Sequence, residues 1–178
     1  YLLYDTGQSF INDGSLAKTV IAPYFMAQTQ VTKPFSITNA SIPTLDYLIN
    51  SHMDNDHAGG NGFIFSHYNV IQWLTPAKGC TADDSFLWGE LTLTILWPGK
   101  NESGNDNNHS CVIKIASRGA SVLLTGDIEK EAEQMLVSMN TGSSKLKANV
   151  LVAAHHGSKT SSIRSFIQAV SPEYVVVS

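Results

Sequence analysis

Along the chain, short apolar runs stop at polar clusters, and only three stretches keep a helical period. Leu2-Leu3-Tyr4 runs into Asp5-Thr6-Gly7, residues 44–50 run into Ser51-His52, and residues 70–73 follow a pair of glycines by ten positions. Such lengths, rich in β-branched and aromatic side chains and bounded by turn formers, predict strands. Residues 91–97 alternate Leu, Thr, Leu, Thr, Ile, Leu, Trp before Pro98, the mark of a half-buried sheet. Residues 111–116, 121–127, 149–154 and 173–178 predict four further strands. Leu16, Val20, Ile21 and Tyr24 predict a helix over about 14–28 with a break or kink at Pro23. Ile128, Ala132, Met135, Leu136 and Met139 give a second helix over 128–139, and residues 160–169 a third. Residues 30–41 have no period and predict a loop. Strands and helices in this order predict an α/β fold with mixed sheets inside and helices outside.

The polar ends of the strands carry the chemistry. Within Ser51-His52-Met53-Asp54-Asn55-Asp56-His57-Ala58-Gly59-Gly60, four candidate metal ligands fall in six residues. They cannot converge on an extended strand, where only i and i+2 share a face, so the chain must curl, and Gly59 and Gly60 permit that curl. Mixed imidazole and carboxylate ligands suit divalent ions that polarise water, and two adjacent sets suggest a pair of ions. The plainer alternative is a turn held by its Asp and Asn side chains. Downstream, one strand ends in Thr125-Gly126-Asp127 and another in His155-His156-Gly157-Ser158. Asp127 also suits a helix N-cap, and the two histidines suit an exposed pair at a helix start.

The pattern H-x-D-x-D-H-x-G-G resembles the metal-binding signature of the metallo-β-lactamase fold, usually H-x-H-x-D-H, with Asp54 where the second His normally stands. This variant, together with the loop Asn105-Asp106-Asn107-Asn108-His109-Ser110 and the His155-His156-Gly157-Ser158 motif, is similar to the C-terminal domain of the ComEC family. Those are bacterial competence proteins that move transforming DNA across the cytoplasmic membrane. The resemblance runs from the Asp5-Thr6-Gly7 turn to the last strand, without the family's first hairpin and C-terminal end. It implies an α/β metallo-β-lactamase-like αββα sandwich with mixed β-sheets, truncated at both ends, as a single domain over 1–178. It implies metal ligation by His52, Asp54, Asp56, His57, Asp127 and His155, with Asp127 bridging two ions and with Asp56, Asp127 and His156 in catalysis. His156 is then a substrate contact, a proton donor or a neighbour of the ligands, and Asp5 either supports the ligands or is an ordinary turn aspartate. The loop that often delivers a further His offers Asp106 or His109 instead. His109, Ser158 and Lys159 are the candidates for touching substrate.

Composition narrows this picture. A chain of 178 residues, 43% hydrophobic and 15% charged, is ordinary for one globular domain. No run of about 18 apolar residues predicts a membrane span, and no leader is visible. Opening in an apolar segment at Tyr1 and stopping after Tyr174-Val175-Val176-Val177 suggest a fragment of a longer membrane protein. Cys80 and Cys111 are too few for a disulfide framework, lack metal-site spacing and leave the redox compartment open. A net charge of -4 argues against a generally basic nucleic-acid surface. Yet residues 134–172 hold no acid while carrying Lys145, Lys147, Lys159 and Arg164, which reads as a basic surface favouring phosphate or as solvated helix charge. Trp73, Trp88 and Trp97 read as packing residues, and His67 as an isolated loop histidine.

Three carboxylates against the four positive charges of two divalent ions leave one positive charge, suited to phosphodiester hydrolysis. The expectation is a metal-dependent nuclease acting on DNA during uptake. It would sit on the outer, periplasmic face of the bacterial cytoplasmic membrane, with the transmembrane remainder of its chain and single-stranded DNA as partners and no nucleotide cofactor. Carboxylate in place of imidazole at Asp54 shifts the preferred ion toward manganese, with zinc still able to bind. The alternatives are hydrolysis of another ester (lactone, thioester or phosphorylcholine ester) and a non-catalytic domain that holds DNA beside a channel.

Overall fold

The computed structural model describes residues 1–12, 14–30, 43–100 and 106–178. The loop expected over 30–41 lies, from residue 31 on, outside the described residues, as does Asn105. Two compact units, Tyr1–Leu74 and Thr75–Ser178, divide the chain.

In the first unit, β1 (Leu2–Tyr4) leads to a small hairpin of β2 (Ser9–Phe10) and β3 (Gly14–Ser15). A widened π turn over Ala17–Ile21 then opens α1 (Ala22–Gln30), and β4 (Thr44–Ile49), α2 (Asn55–Ala58), α3 (Asn61–His67) and β5 (Asn69–Leu74) complete the unit. Strands β1, β4 and β5 form one parallel sheet with β4 in the middle. A central parallel strand is covered on both faces, which is why Leu45, Leu48 and Ile49 are all fully buried, Leu45 and Leu48 packed with Ala17, Phe25 and Ile64.

Three expectations change here. The helix expected from residue 14 starts as a strand and a π turn, because Pro23 has no N–H for the Thr19 carbonyl and its ring crowds that group. The extra residue in that turn rotates everything after it. Ala17 and Phe25 therefore face the core, while Val20 and Tyr24, assigned to the apolar face by a plain helical period, are exposed. His67 is not in a loop but closes α3, with Nδ1 2.9 Å from the Phe63 carbonyl oxygen. Gly59 and Gly60 have ordinary right-handed backbones (φ -58 and -79), so the curl does not need their freedom. What needs glycine is proximity: a Cβ on Gly60 would lie 2.6 Å from both the Ala17 Cβ and the Thr6 carbonyl oxygen.

The second unit is built on β6 (Ser85–Trp88), β7 (Leu91–Trp97), β8 (Val112–Ala116), β9 (Ser121–Leu124), α4 (Lys130–Met139), β10 (Val150–Val152), α5 (Arg164–Val170) and β11 (Tyr174–Val176). Its sheet runs β11-β10-β9-β8-β7-β6, antiparallel from β6 to β9 and parallel from β9 to β11. Leu93, Ile95 and Trp97 are buried as the alternation requires. The strand β6, which the pattern did not single out, is one of the two outer strands of this sheet. Parallel β9, β10 and β11 are joined through α4 and α5, so the residues following β9 and β10 emerge at one end of the sheet, the usual place for a site in such an arrangement.

Here too the boundaries shift. The second helix begins at Lys130 with Glu129 as its cap residue, so Asp127 is not an N-cap, and Met135 and Met139 are exposed rather than core. The third begins at Arg164, not residue 160, because Ser162 is left-handed (φ 62) and breaks the turn before it. Cys80 and Cys111 form a disulfide with Cα atoms 5.8 Å apart, tying the segment before β6 to the start of β8. Closing a 31-residue separation in this way contributes about 3 to 4 kcal/mol in the chain-entropy account.

Glu133, on α4, is fully buried and accepts the Ser162 and Ile163 N–H groups at 2.7 and 2.8 Å, so it caps the start of α5 from a neighbouring helix. Burial raises its carboxyl pKa above the ordinary value, with the two N–H donors pulling the other way. Since the folded protein then holds the proton more tightly than the unfolded chain, this part of the stability is complete below the unfolded-state value and is lost as pH rises through the raised one. Glu133→Gln, neutral throughout, should flatten the denaturation midpoint against pH just above about pH 4.3. Glu133→Ala should lower stability by roughly 2 to 4 kcal/mol by stranding both N–H groups.

Candidate metal centre

In the first unit, β4 carries the chain into Asn50, Ser51 and His52, all buried. Asp5, immediately after β1, donates its N–H to the Ile49 carbonyl (2.8 Å) and takes a left-handed backbone (φ 62) that turns its carboxylate onto the same loop. Oδ1 accepts the Ser51 N–H at 2.7 Å, while Oδ2 accepts the Ser51 hydroxyl at 2.9 Å and lies 2.9 Å from Nδ1 of His57. The Ser51 Oγ is also 3.0 Å from Nδ1 of His52 and 3.1 Å from Nδ1 of His57. The two rings lie with centroids 4.2 Å apart. Their other nitrogens meet carboxylates: Nε2 of His52 is 3.5 Å from Asp54 Oδ2, and Nε2 of His57 is 3.7 Å from Asp56 Oδ2. Asp5 thus supports the histidines rather than merely closing a turn. Behind them, the Thr6 N–H and hydroxyl both donate to the His57 carbonyl. Asn50 Oδ1 accepts from Asn61 Nδ2 and from Trp73 Nε1, which gives Trp73 a polar task beside its packing.

In the second unit, Asp127 is buried just past β9, and its N–H donates to the Ser110 hydroxyl at 3.0 Å. After β10, His155, His156 and Gly157 are all left-handed (φ 50, 51 and 74), and the His155 N–H donates to the Gly126 carbonyl at 3.0 Å. Two non-glycine residues in succession at positive φ is a costly conformation. It brings Nε2 of His155 and of His156 to 3.9 and 3.6 Å from Asp127 Oδ2. Nδ1 of His155 lies 3.2 Å from both Glu129 Oε1 and Thr160 Oγ1, and the Thr160 hydroxyl donates to Glu129 at 2.8 Å. Nδ1 of His156 lies 3.1 Å from the Ser178 hydroxyl. Asp106 and His109 are bound to each other at 2.6 Å, and Asn108 Oδ1 accepts the Glu129 N–H. Ser158 faces the Thr160 hydroxyl, and Lys159 is exposed. Ser51, Asn50, Glu129 and Thr160 were not read from the sequence as site residues; the one available signal was polar residues directly adjoining the ligand motifs.

Both constellations have the chemistry of divalent-ion ligands. Each imidazole has an oxygen against Nδ1 and a carboxylate toward Nε2, as histidines that bind metal through Nε2 do, and the donors are the nitrogen and oxygen types that suit such ions.

The family model for the metallo-beta-lactamase superfamily matches residues 1–178, and the chain belongs to that superfamily. Its fold is accordingly the α/β metallo-β-lactamase fold that the motifs implied, with one parallel sheet and one mixed sheet where mixed sheets were expected, a fold associated with hydrolases and with divalent metal ions. Among curated proteins, the chain is 37% identical to Recombination protein 2 of Haemophilus influenzae, over 99% of this chain and 21% of that one. It is 36% identical to Competence protein ComA of Neisseria gonorrhoeae, over 100% and 24%, and 29% identical to ComE operon protein 3 of Bacillus subtilis, over 99% and 25%. The likeness to the competence family is thereby borne out, and the chain spans a quarter or less of the length of these relatives. Among the described residues no helix is long and apolar enough to cross a membrane.

The left-handed backbone at His156 reverses the usual ranking of small substitutions. Alanine keeps the roughly 1 to 2 kcal/mol penalty of a Cβ at positive φ, and glycine does not. His156→Gly should therefore be at least as stable as His156→Ala, by about 1 kcal/mol, in chemical denaturation.

Proposed function

We propose that the chain is a metal-dependent phosphodiesterase that cleaves DNA, the hydrolytic module of a longer DNA-uptake protein. The observation that carries this reading is the repeated setting of the histidines, with Nδ1 against an oxygen and Nε2 toward a carboxylate. His52, Asp54, Asp56, His57, Asp127 and His155 are the proposed ligands. Two divalent ions bound by them would supply positive charge for the phosphodiester and would acidify the attacking water. The carboxylates among these ligands would offset part of that charge. Asp56 and Asp127 orient the reacting groups, and His156, 41% exposed at its side chain, gives a proton to the departing oxygen. Lys145 is engaged by Asp83 at 2.7 Å, so Lys147, Lys159 and Arg164, with His109 and Ser158, are the side chains assigned to the DNA backbone.

The printed names of the relatives, competence and recombination proteins, favour DNA over other esters. The Cys80–Cys111 disulfide favours an oxidising compartment, and with it the outer face of the cytoplasmic membrane. The extra length of the relatives favours a partner in the remaining, membrane-borne part of a longer chain.

The test is digestion of end-labelled single- and double-stranded DNA by metal-stripped protein given manganese, magnesium or zinc in turn. Manganese should support the fastest cleavage, because Asp54 makes the ligand set richer in oxygen than one with histidine there, with zinc bound but poorly active. Asp127→Asn should lose on the order of 100-fold or more in rate with its far-ultraviolet circular dichroism unchanged. DNA left intact with every ion while a lactone or thioester is cleaved would replace the nuclease with another esterase. Activity with zinc and none with manganese would overturn the metal assignment.

A further inference from the structure

A serine hydroxyl has one proton to give and two lone pairs with which to accept. Around the buried Ser51 Oγ stand three polar atoms: Asp5 Oδ2 at 2.9 Å, His52 Nδ1 at 3.0 Å and His57 Nδ1 at 3.1 Å. An ionised carboxylate accepts only, so the single Ser51 proton goes to Asp5, whose orientation is already fixed by the Ser51 N–H on Oδ1 at 2.7 Å. Both lone pairs then face the imidazoles, and each imidazole must supply the proton from Nδ1. For His57 the conclusion is doubly determined, since its Nδ1 also lies 2.9 Å from the acceptor-only Asp5 Oδ2. For His52 it depends on Ser51 alone among these contacts.

We propose that Ser51 is a positioning residue that holds His52 and His57 together in the Nδ1–H tautomer, which puts both imidazole lone pairs at Nε2, on the side of Asp54 and Asp56. Neutral histidine in water prefers the opposite tautomer, so the arrangement is imposed by the loop. It gives a task to the hydroxyl of the fully buried serine that stands directly before the first histidine. The tautomers themselves hold whatever the reaction; only their consequence for metal affinity rests on the proposed ligand set.

The experiment uses the full chain, stripped of metal and labelled with 15N at histidine, and reads two-bond proton–nitrogen correlations near pH 8.5, about two units above the ordinary histidine value. His52 and His57 should both show a protonated Nδ1 and a bare Nε2. In Ser51→Ala, His52 should move to the Nε2–H form while His57, still held by Asp5, stays. Ser51→Thr, which keeps the hydroxyl, should restore His52. A purely structural role for Ser51 would move both rings or neither. Zinc titration of the same samples should show a loss of about 10 to 100-fold in affinity for Ser51→Ala and recovery in Ser51→Thr. Nε2–H signals from His52 in the unaltered chain, a measurement that needs no variant to fold, overturn the proposal, as does an unchanged His52 tautomer in Ser51→Ala. The expected tautomers with unchanged zinc affinity uphold it and remove His52 from the ligand set instead.

Discussion

The Asp5 carboxylate is the contact from which the first unit's histidines are organised. It joins the end of β1 to the loop after β4 through a backbone N–H, a hydroxyl and an imidazole. Its left-handed backbone costs about 1 to 2 kcal/mol. Hydrogen bonds to a charged group contribute about 1.5 to 3 kcal/mol each, so three of them outweigh the strain even at the low end. The parallel register that sets Tyr4 opposite Ile49 brings Asp5 level with Asn50, next to Ser51, so the sheet places this carboxylate beside the loop that carries the histidines.

The second unit solves the same problem with different residues. Behind His57 stand a carboxylate and a hydroxyl, Asp5 and Ser51; behind His155 stand Glu129 and Thr160, the hydroxyl again donating to the carboxylate. In each case the acid fixes the hydroxyl and both press on Nδ1, so ring rotation costs two contacts instead of one. Backbone strain also recurs, at Asp5 in one unit and at His155 and His156 in the other. Such strain persists only where the surroundings over-determine it. Around His155 they do: its N–H is held by Gly126, and Ser161 donates to the Ala154 carbonyl just before it.

The strands and the His- and Asp-bearing motifs at their ends were legible because both depend on local pattern: apolar runs of the right length, then a cluster of His and Asp. What was not legible depends on partners distant in sequence. Glu129 and Thr160 lie 31 positions apart and meet only because β10 returns parallel to β9. Glu133 lies outside the apolar set that the helical period picked out, and it is fully buried because the Ser162 and Ile163 N–H groups need an acceptor. The face of the first helix was misread for a local reason that periodicity cannot register, the π turn ahead of Pro23. The pairing of Cys80 with Cys111 needed the third dimension as well, since two cysteines 31 residues apart specify nothing on their own.

Asp54 is the position where this chain departs from the usual histidine, and its surroundings argue that the departure is chemical rather than structural. It occupies the residue before α2, with extended backbone angles and a carbonyl that accepts from His57 and Ala58, where an aspartate ordinarily turns its carboxylate onto the first helical N–H groups. That bond is worth about 1 kcal/mol, and Asp54 does not make it. The carboxylate is instead 61% exposed and 3.5 Å from Nε2 of His52. An exposed ion pair of this kind returns less than the cap would. A side chain that forgoes the better local bond for the weaker one marks a place where local preference is overridden by a requirement of the site. On the proposed ligand set, that requirement is an anionic oxygen beside Nε2 of His52, the kind of donor that a hard divalent ion prefers.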